Sequence, residues 1–192
     1  QAYVIAGFVL FYEIVFKHKS FRRAQVPILP EGAKDLPRGV SYSVSAPTVG
    51  PIQVDFAPPV GRTRVEQDVT IVENFARENV PFAIKFTVRD VITPKSPVIF
   101  GTGENTVRIS VIKLSVIECD KFEARAVPPQ SSEYTANLVL SREEELPFTI
   151  QCLFKGTPVG SLAYEMGIVD ALLEYIYRKI GSQAFTILPK PE

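Results

Sequence analysis

Apolar side chains fill the start of the chain almost without interruption. From Ala2 to Phe16 only Glu13 is charged, and the basic cluster Lys17, His18, Lys19, Arg22 and Arg23 follows at once. As a helix this stretch reaches ~22 Å, short of the ~30 Å hydrocarbon core of a bilayer. As a strand it places Ala2, Val4, Ala6, Phe8 and Leu10 on one face and Tyr3, Ile5, Val9 and Phe11 on the other. Both faces are then apolar, as in a strand buried on two sides. Helix and strand stay open on this pattern, and a strand of this kind is suited to completing a neighbour's sheet.

Period-two alternation dominates the rest. Residues 24–39 carry prolines and glycines among polar side chains and read as a linker, so residues 1–23 form an arm and 40–192 a domain. Short strands are predicted at Val40–Val44, Ile52–Phe56, Val65–Phe75 and Val98–Phe100. The clearest is Phe82–Asp90, with Phe82, Ile84, Phe86 and Val88 on one face and Lys85, Thr87 and Arg89 on the other. In Thr106–Cys119, Val107, Ile109 and Val111 share one phase and Ile112, Leu114 and Val116 are shifted by one, the sequence form of a β-bulge. Phe122–Val127, Tyr134–Leu140 and Pro147–Phe154 supply three more strands.

The period lengthens after Gly160. Leu162, Met166, Val169, Leu172 or Leu173, Ile176 and Ile180 recur at three and four residues, with Ser161 placed as an N-cap and Gly181 just past the end. That spacing predicts an amphipathic helix over 161–180. The fold expected is mainly β: a β-sandwich, Ig-like or jelly-roll-like, with a hydrophobic N-terminal segment and one C-terminal helix.

Composition narrows the function. The net charge is +0, so no overall field attracts nucleic acid. A single histidine, His18, leaves Cys119 and Cys152 without the ligands of a zinc site, and a disulfide between them is the alternative to two reduced apolar thiols. Gly101-Thr-Gly103 lacks the spacing of a phosphate loop and reads as a turn. Glu143–Glu145 reads as a solvated loop. A nucleophile–base pair using histidine would need His18, which sits among basic residues beside the arm and is not expected to be catalytic. A catalytic, cofactor or metal site is not expected.

An apolar N-terminal segment followed by a soluble domain resembles type IV pilins and related archaeal filament proteins. The resemblance covers about the first twenty residues. It implies a leader cut ahead of an apolar segment, which then packs in a filament core. The basic residues follow the apolar core, so an ordinary signal-peptidase cut would have removed the segment. The expectation is therefore processing, or trimming, just upstream. On this reading Tyr3, Ile5, Phe8, Phe11, Glu13 and Phe16 form the assembly surface, with Glu13 neutralising a cation on a neighbour. The protein is expected to be a non-enzymatic subunit of an extracellular filament or surface assembly, at the cell surface or anchored in the membrane. Its partners would be copies of itself or membrane protein subunits. Two alternatives are a single-span accessory subunit of a membrane complex and a ligand-binding β-sandwich sensor.

Overall fold

The computed structural model describes residues 6–61, 63–66, 69–91, 99–100, 106–120, 125–126, 133–136 and 146–187. Tyr3 and Ile5, the turn at 101–105 and the glutamates at 143–145 lie outside these. In chain order the strands are β1 (Ala6–Leu29), β2 (Ser43–Val44), β3 (Ile52–Phe56), β4 (Thr63–Glu66), β5 (Val69–Val72), β6 (Ala76–Arg77) and β7 (Pro81–Asp90). They continue as β8 (Ile99–Phe100), β9 (Thr106–Ile112), β10 (Leu114–Cys119), β11 (Arg125–Ala126), β12 (Glu133–Ala136), β13 (Phe148–Gly156) and β14 (Glu165–Ile187).

The strands form two main sheets. The first runs β11-β12-β9-β14-β1-β2, with β6 joined to β1 and β8 to β14; the second runs β10-β13-β7-β3. Among the described residues pairing is antiparallel apart from a short parallel contact of β1 with β6 and an isolated parallel bridge of Glu78 with Gly156. β4 and β5 make a separate two-stranded ribbon.

One apolar core lies between the sheets. The first contributes Ala24, Val26 and Ile28 of β1, Val107, Ile109 and Val111 of β9, and Val169, Ala171 and Leu173 of β14. The second contributes alternate residues of β3, β7 and β13, among them Val54, Phe86, Ile150 and Phe154. Phe82, Ile84, Phe86 and Val88 are all buried while Lys85 and Arg89 are exposed, as the alternation predicts. The Phe86 ring meets Phe56 edge-on at 5.7 Å, and Phe82 stacks on Phe154 at 5.9 Å.

Four features depart from the sequence reading. Val65–Phe75 is not one strand, because β4 and β5 are separate strands that pair antiparallel with each other. No helix forms at 161–180, because β14 is a strand throughout its length. Gly167, Val169, Ala171, Leu173 and Tyr175 point into the core at period two, while Ile168, Leu172 and Ile176 are half-buried on the other face. With Ile168, Leu172 and Ile176 interspersed with Asp170 and Glu174 on that second face, the apolar residues also satisfy a helical period, and sheet pairing on both edges decides the outcome. The predicted linker does not begin at residue 24: Ala24, Val26, Ile28 and Leu29 continue β1 and are fully buried. The phase change after Val111 is a corner, not a bulge. Lys113 takes a left-handed φ of 61° between β9 and β10 and carries the chain from the first sheet to the second. Thr157 secures it, donating from N and Oγ1 to the Lys113 carbonyl at 3.1 and 3.0 Å.

Two polar devices fix the body. The Tyr175 hydroxyl, on β14, accepts from Ile52 N at 3.2 Å and donates to Ile52 O at 3.4 Å, tying the first sheet to β3. Glu73 and Arg77 form a buried pair with contacts of 3.0 and 2.6 Å, and Arg77 also donates to the carbonyls of Glu31 and Ala33. The spare guanidinium hydrogens thereby hold the turn that follows β1.

Candidate assembly surface

β1 and β14 pair over their whole length in one unbroken antiparallel register, from Ala6 opposite Ile187 to Ile28 opposite Glu165. Only the inner half of this ladder belongs to the body. Beyond Phe16 and Tyr177, towards Ala6 and Ile187, the only other strand pairing among the described residues is that of β8 with β14, at Tyr177 and Arg178. The outer half is a two-stranded ribbon. At about 3.3 Å per residue, the segment Ala6–Phe16 is roughly 33 Å long.

Alternation along β1 sorts the arm residues into two faces. Even-numbered residues share the side that carries Ala24 and Val26 into the core, so Phe8, Leu10, Tyr12, Ile14 and Phe16 line one face of the ribbon. Phe8 stacks on Phe185 at 5.2 Å and Phe16 on Tyr177 at 4.8 Å. Between them the Tyr12 ring lies over Gly181, where a Cβ would come within 2.8 Å of Tyr12 Cε2 and closer still to its Cζ. Glycine at 181 is therefore the seat of an aromatic ring and not the stop of a helix. The opposite face carries Val9, Phe11, Glu13 and Val15, with Ile180 directly across from Glu13.

Of the expected assembly residues, Phe8 and Phe16 share one face and Phe11 and Glu13 the other. All four are exposed, Phe11 at 76% and Ile180 beside it at 62%. Among the described residues no third strand or covering layer lies on this outer part of the ladder, and a strand pair so placed is marginal in water. The partner residues Tyr177, Gly181 and Phe185 escape the sequence reading. The signal was present in the alternation of Phe185 and Ile187 past the supposed helix end.

The basic cluster is largely occupied within the chain. Lys19 pairs with Glu174 and Arg23 with Asp170, each directly across the β1–β14 ladder; the second pair has Nε and Nη2 contacts of 2.7 Å. Hydrogen bonding to Lys19 lowers the pKa of Glu174, and hydrogen bonding to Asp170 raises that of Arg23. Arg22 turns to the other face, where it pairs with Asp55 of β3, a carboxylate shared with Arg89. His18 packs against Tyr175 at 5.4 Å and donates from Nε2 to Val49 O at 2.9 Å.

The far edge of β1 is closed over part of its length. Phe21 donates its N–H to Thr48 Oγ1 at 2.6 Å and accepts from it at 2.8 Å. Arg23 donates to Ser45 Oγ and accepts from Ser45 N. β2 then pairs with Ala24 and Gln25. From Lys19 towards Ala6 no strand or strap covers that edge among the described residues.

Cys119 and Cys152 are joined as a disulfide between neighbouring strands β10 and β13 of one sheet. Among the described residues no cluster of three or more histidine, cysteine or acidic side chains is placed to hold a metal ion. No helix among them is long and apolar enough to cross a membrane, which says nothing of strands that do so. Comparison with protein-family models, with curated proteins and with solved structures gives no match.

Proposed function

We propose that this protein is a non-enzymatic structural subunit of an extracellular filament or surface assembly, joined to its neighbours through the apolar β1–β14 ribbon. The two sheets act as a β-sandwich body that carries the ribbon. One observation carries the reading: a ribbon with apolar side chains on both faces projects from a body that already buries its own core. Aromatic and branched side chains left in water would gain about 25 cal/mol for each Å² covered by a neighbour.

The test keeps the full chain and replaces Phe8, Phe11 and Phe16 by threonine together, preserving strand propensity while removing apolar surface. Sedimentation velocity should show the wild type in a concentration-dependent assembly and the triple variant as a monomer with an unchanged unfolding midpoint of the body. A wild type that stays monomeric, or a variant that assembles as well as the wild type, rejects the reading. A second use has one feature in its favour, since Ala6–Phe16 matches the ~9–11 residues of a membrane-spanning strand. Flotation of the wild type, but not the variant, with phospholipid vesicles would favour a membrane-anchored subunit.

A further inference from the structure

We propose that two copies join edge to edge, β1 pairing antiparallel with β1 of a second copy about a two-fold axis at Val15, so that each Glu13 faces Lys17 of the other copy. This rests on the assembly reading above and specifies its contact. It follows from backbone direction, the extent of the open edge and the placement of charge.

Backbone direction comes first. Phe21 and Arg23 both send N–H and C=O to the edge away from β14, into Thr48 and Ser45. Groups on a strand alternate in direction, so Lys19, Lys17, Val15, Glu13 and Phe11 present their N–H and C=O to the same edge. At Phe21 the Thr48 hydroxyl closes it. An antiparallel neighbour can thus run as far as Lys19 on each copy, and with the axis at Val15 the paired stretch becomes residues 11–19 on both.

Charge selects among the axes. Centring on Glu13 or Lys17 sets like charges directly opposite each other, which is unfavourable in a sheet. Centring on Ile14 puts Phe11 against Lys17 and leaves Glu13 facing Val15. Centring on Phe16 sends Glu13 to Lys19, which is already paired with Glu174. Centring on Val15 makes two Glu13–Lys17 pairs and sets Val15 against Val15. Lys17 is exposed and forms no ion pair among the described residues. Glu13 also interacts within its own chain, and a carboxylate has oxygens for both contacts. On the other face Ile14 meets Phe16, and Tyr12 meets His18. Two marginal ribbons become one four-stranded sheet, β14-β1-β1-β14, which passes the three-strand minimum for independent stability.

Val15→Cys tests the axis. Directly opposite hydrogen-bonded residues have Cα atoms ~5.5 Å apart, inside the range a disulfide spans. The two native cysteines are already bonded to each other. Oxidation of the full chain with diamide should give a cross-linked V15C dimer. F11C alone should give none, and F11C mixed with K19C should give the mixed dimer. Charge reversal gives a second readout, with E13K or K17E each weakening self-association about tenfold or more. Mixing the two variants should restore it, because every 13–17 contact is then again between opposite charges. If the wild type assembles and the phenylalanine triple variant does not, but V15C fails to cross-link and E13K associates normally, this register is overturned while the assembly reading stands. If the wild type is a monomer throughout, both are overturned.

Discussion

Phe86 and Lys85 are neighbours in sequence and face opposite ways. Phe86 is fully buried against Phe56, so Phe86→Ala should lower stability by ~3–5 kcal/mol, the range for truncating a core phenylalanine. Lys85 is exposed, and Lys85→Ala should change it by under ~0.5 kcal/mol. Urea unfolding of both variants is the measurement. Tyr175 adds a pH-dependent effect. Burial pushes its hydroxyl up to about 12, against the Ile52 backbone bond that lowers it, and burial takes Tyr42 to about 12 as well. A tyrosine in the unfolded chain ionises near pH ~10, so above that pH the unfolded state releases a proton that the folded state retains. Stability should therefore be level below about pH 10 and fall between about 10 and about 12. Tyr175→Phe should flatten part of that alkaline slope while costing ~0.5–1.5 kcal/mol at neutral pH for its bonds to Ile52. Chemical denaturation followed across pH 8–12 would show both effects.

At the scale of the elements, how much could be read from sequence depended on how many faces a strand buries. β7 has one buried and one wet face, and its residues, facing and boundaries were all readable. β14 and the arm have apolar side chains on both faces, which removes the alternation and leaves period and length to decide. Leu162, Met166, Val169 and Leu173 then fit a helix as well as a strand. The pairing that settles the matter joins residues from opposite ends of the chain, which no local window contains. For the candidate site, Phe8, Phe11, Glu13 and Phe16 were visible as an apolar arm, but the strand that covers one of its edges was not. Gly167 is a buried position of β14 with little room for a side chain. A Cβ there would lie 2.8 Å from Leu114 Cγ and 3.0 Å from Ile28 Cδ1. Gly167→Ala should thus destabilise the body by ~1–3 kcal/mol through overpacking, seen as a lower thermal midpoint with the ribbon contacts unchanged.

For the molecule as a whole, the Cys119–Cys152 bond joins two strands of the second sheet and closes a loop of 33 residues that passes through β11 and β12 of the first. In the chain-entropy account such a loop contributes ~3–4 kcal/mol. Cys119→Ser combined with Cys152→Ala should lower the urea midpoint accordingly and leave the ribbon's self-association intact at concentrations where the body is folded. The longest ladder has a different consequence, one of timing. Ala6 pairs with Ile187, and Ile28 pairs with Glu165 on one edge and with Ala76 on the other. During synthesis β1 leaves the ribosome well over a hundred residues before β14, its partner along its whole length. Contacts so distant along the chain form slowly, and an unpaired apolar edge is the species that aggregates while it waits. A chain released early, before residue 165, would carry β1 without the strand that pairs with it from Ala6 to Ile28. Such fragments should be captured by holding chaperones far more readily than the finished protein.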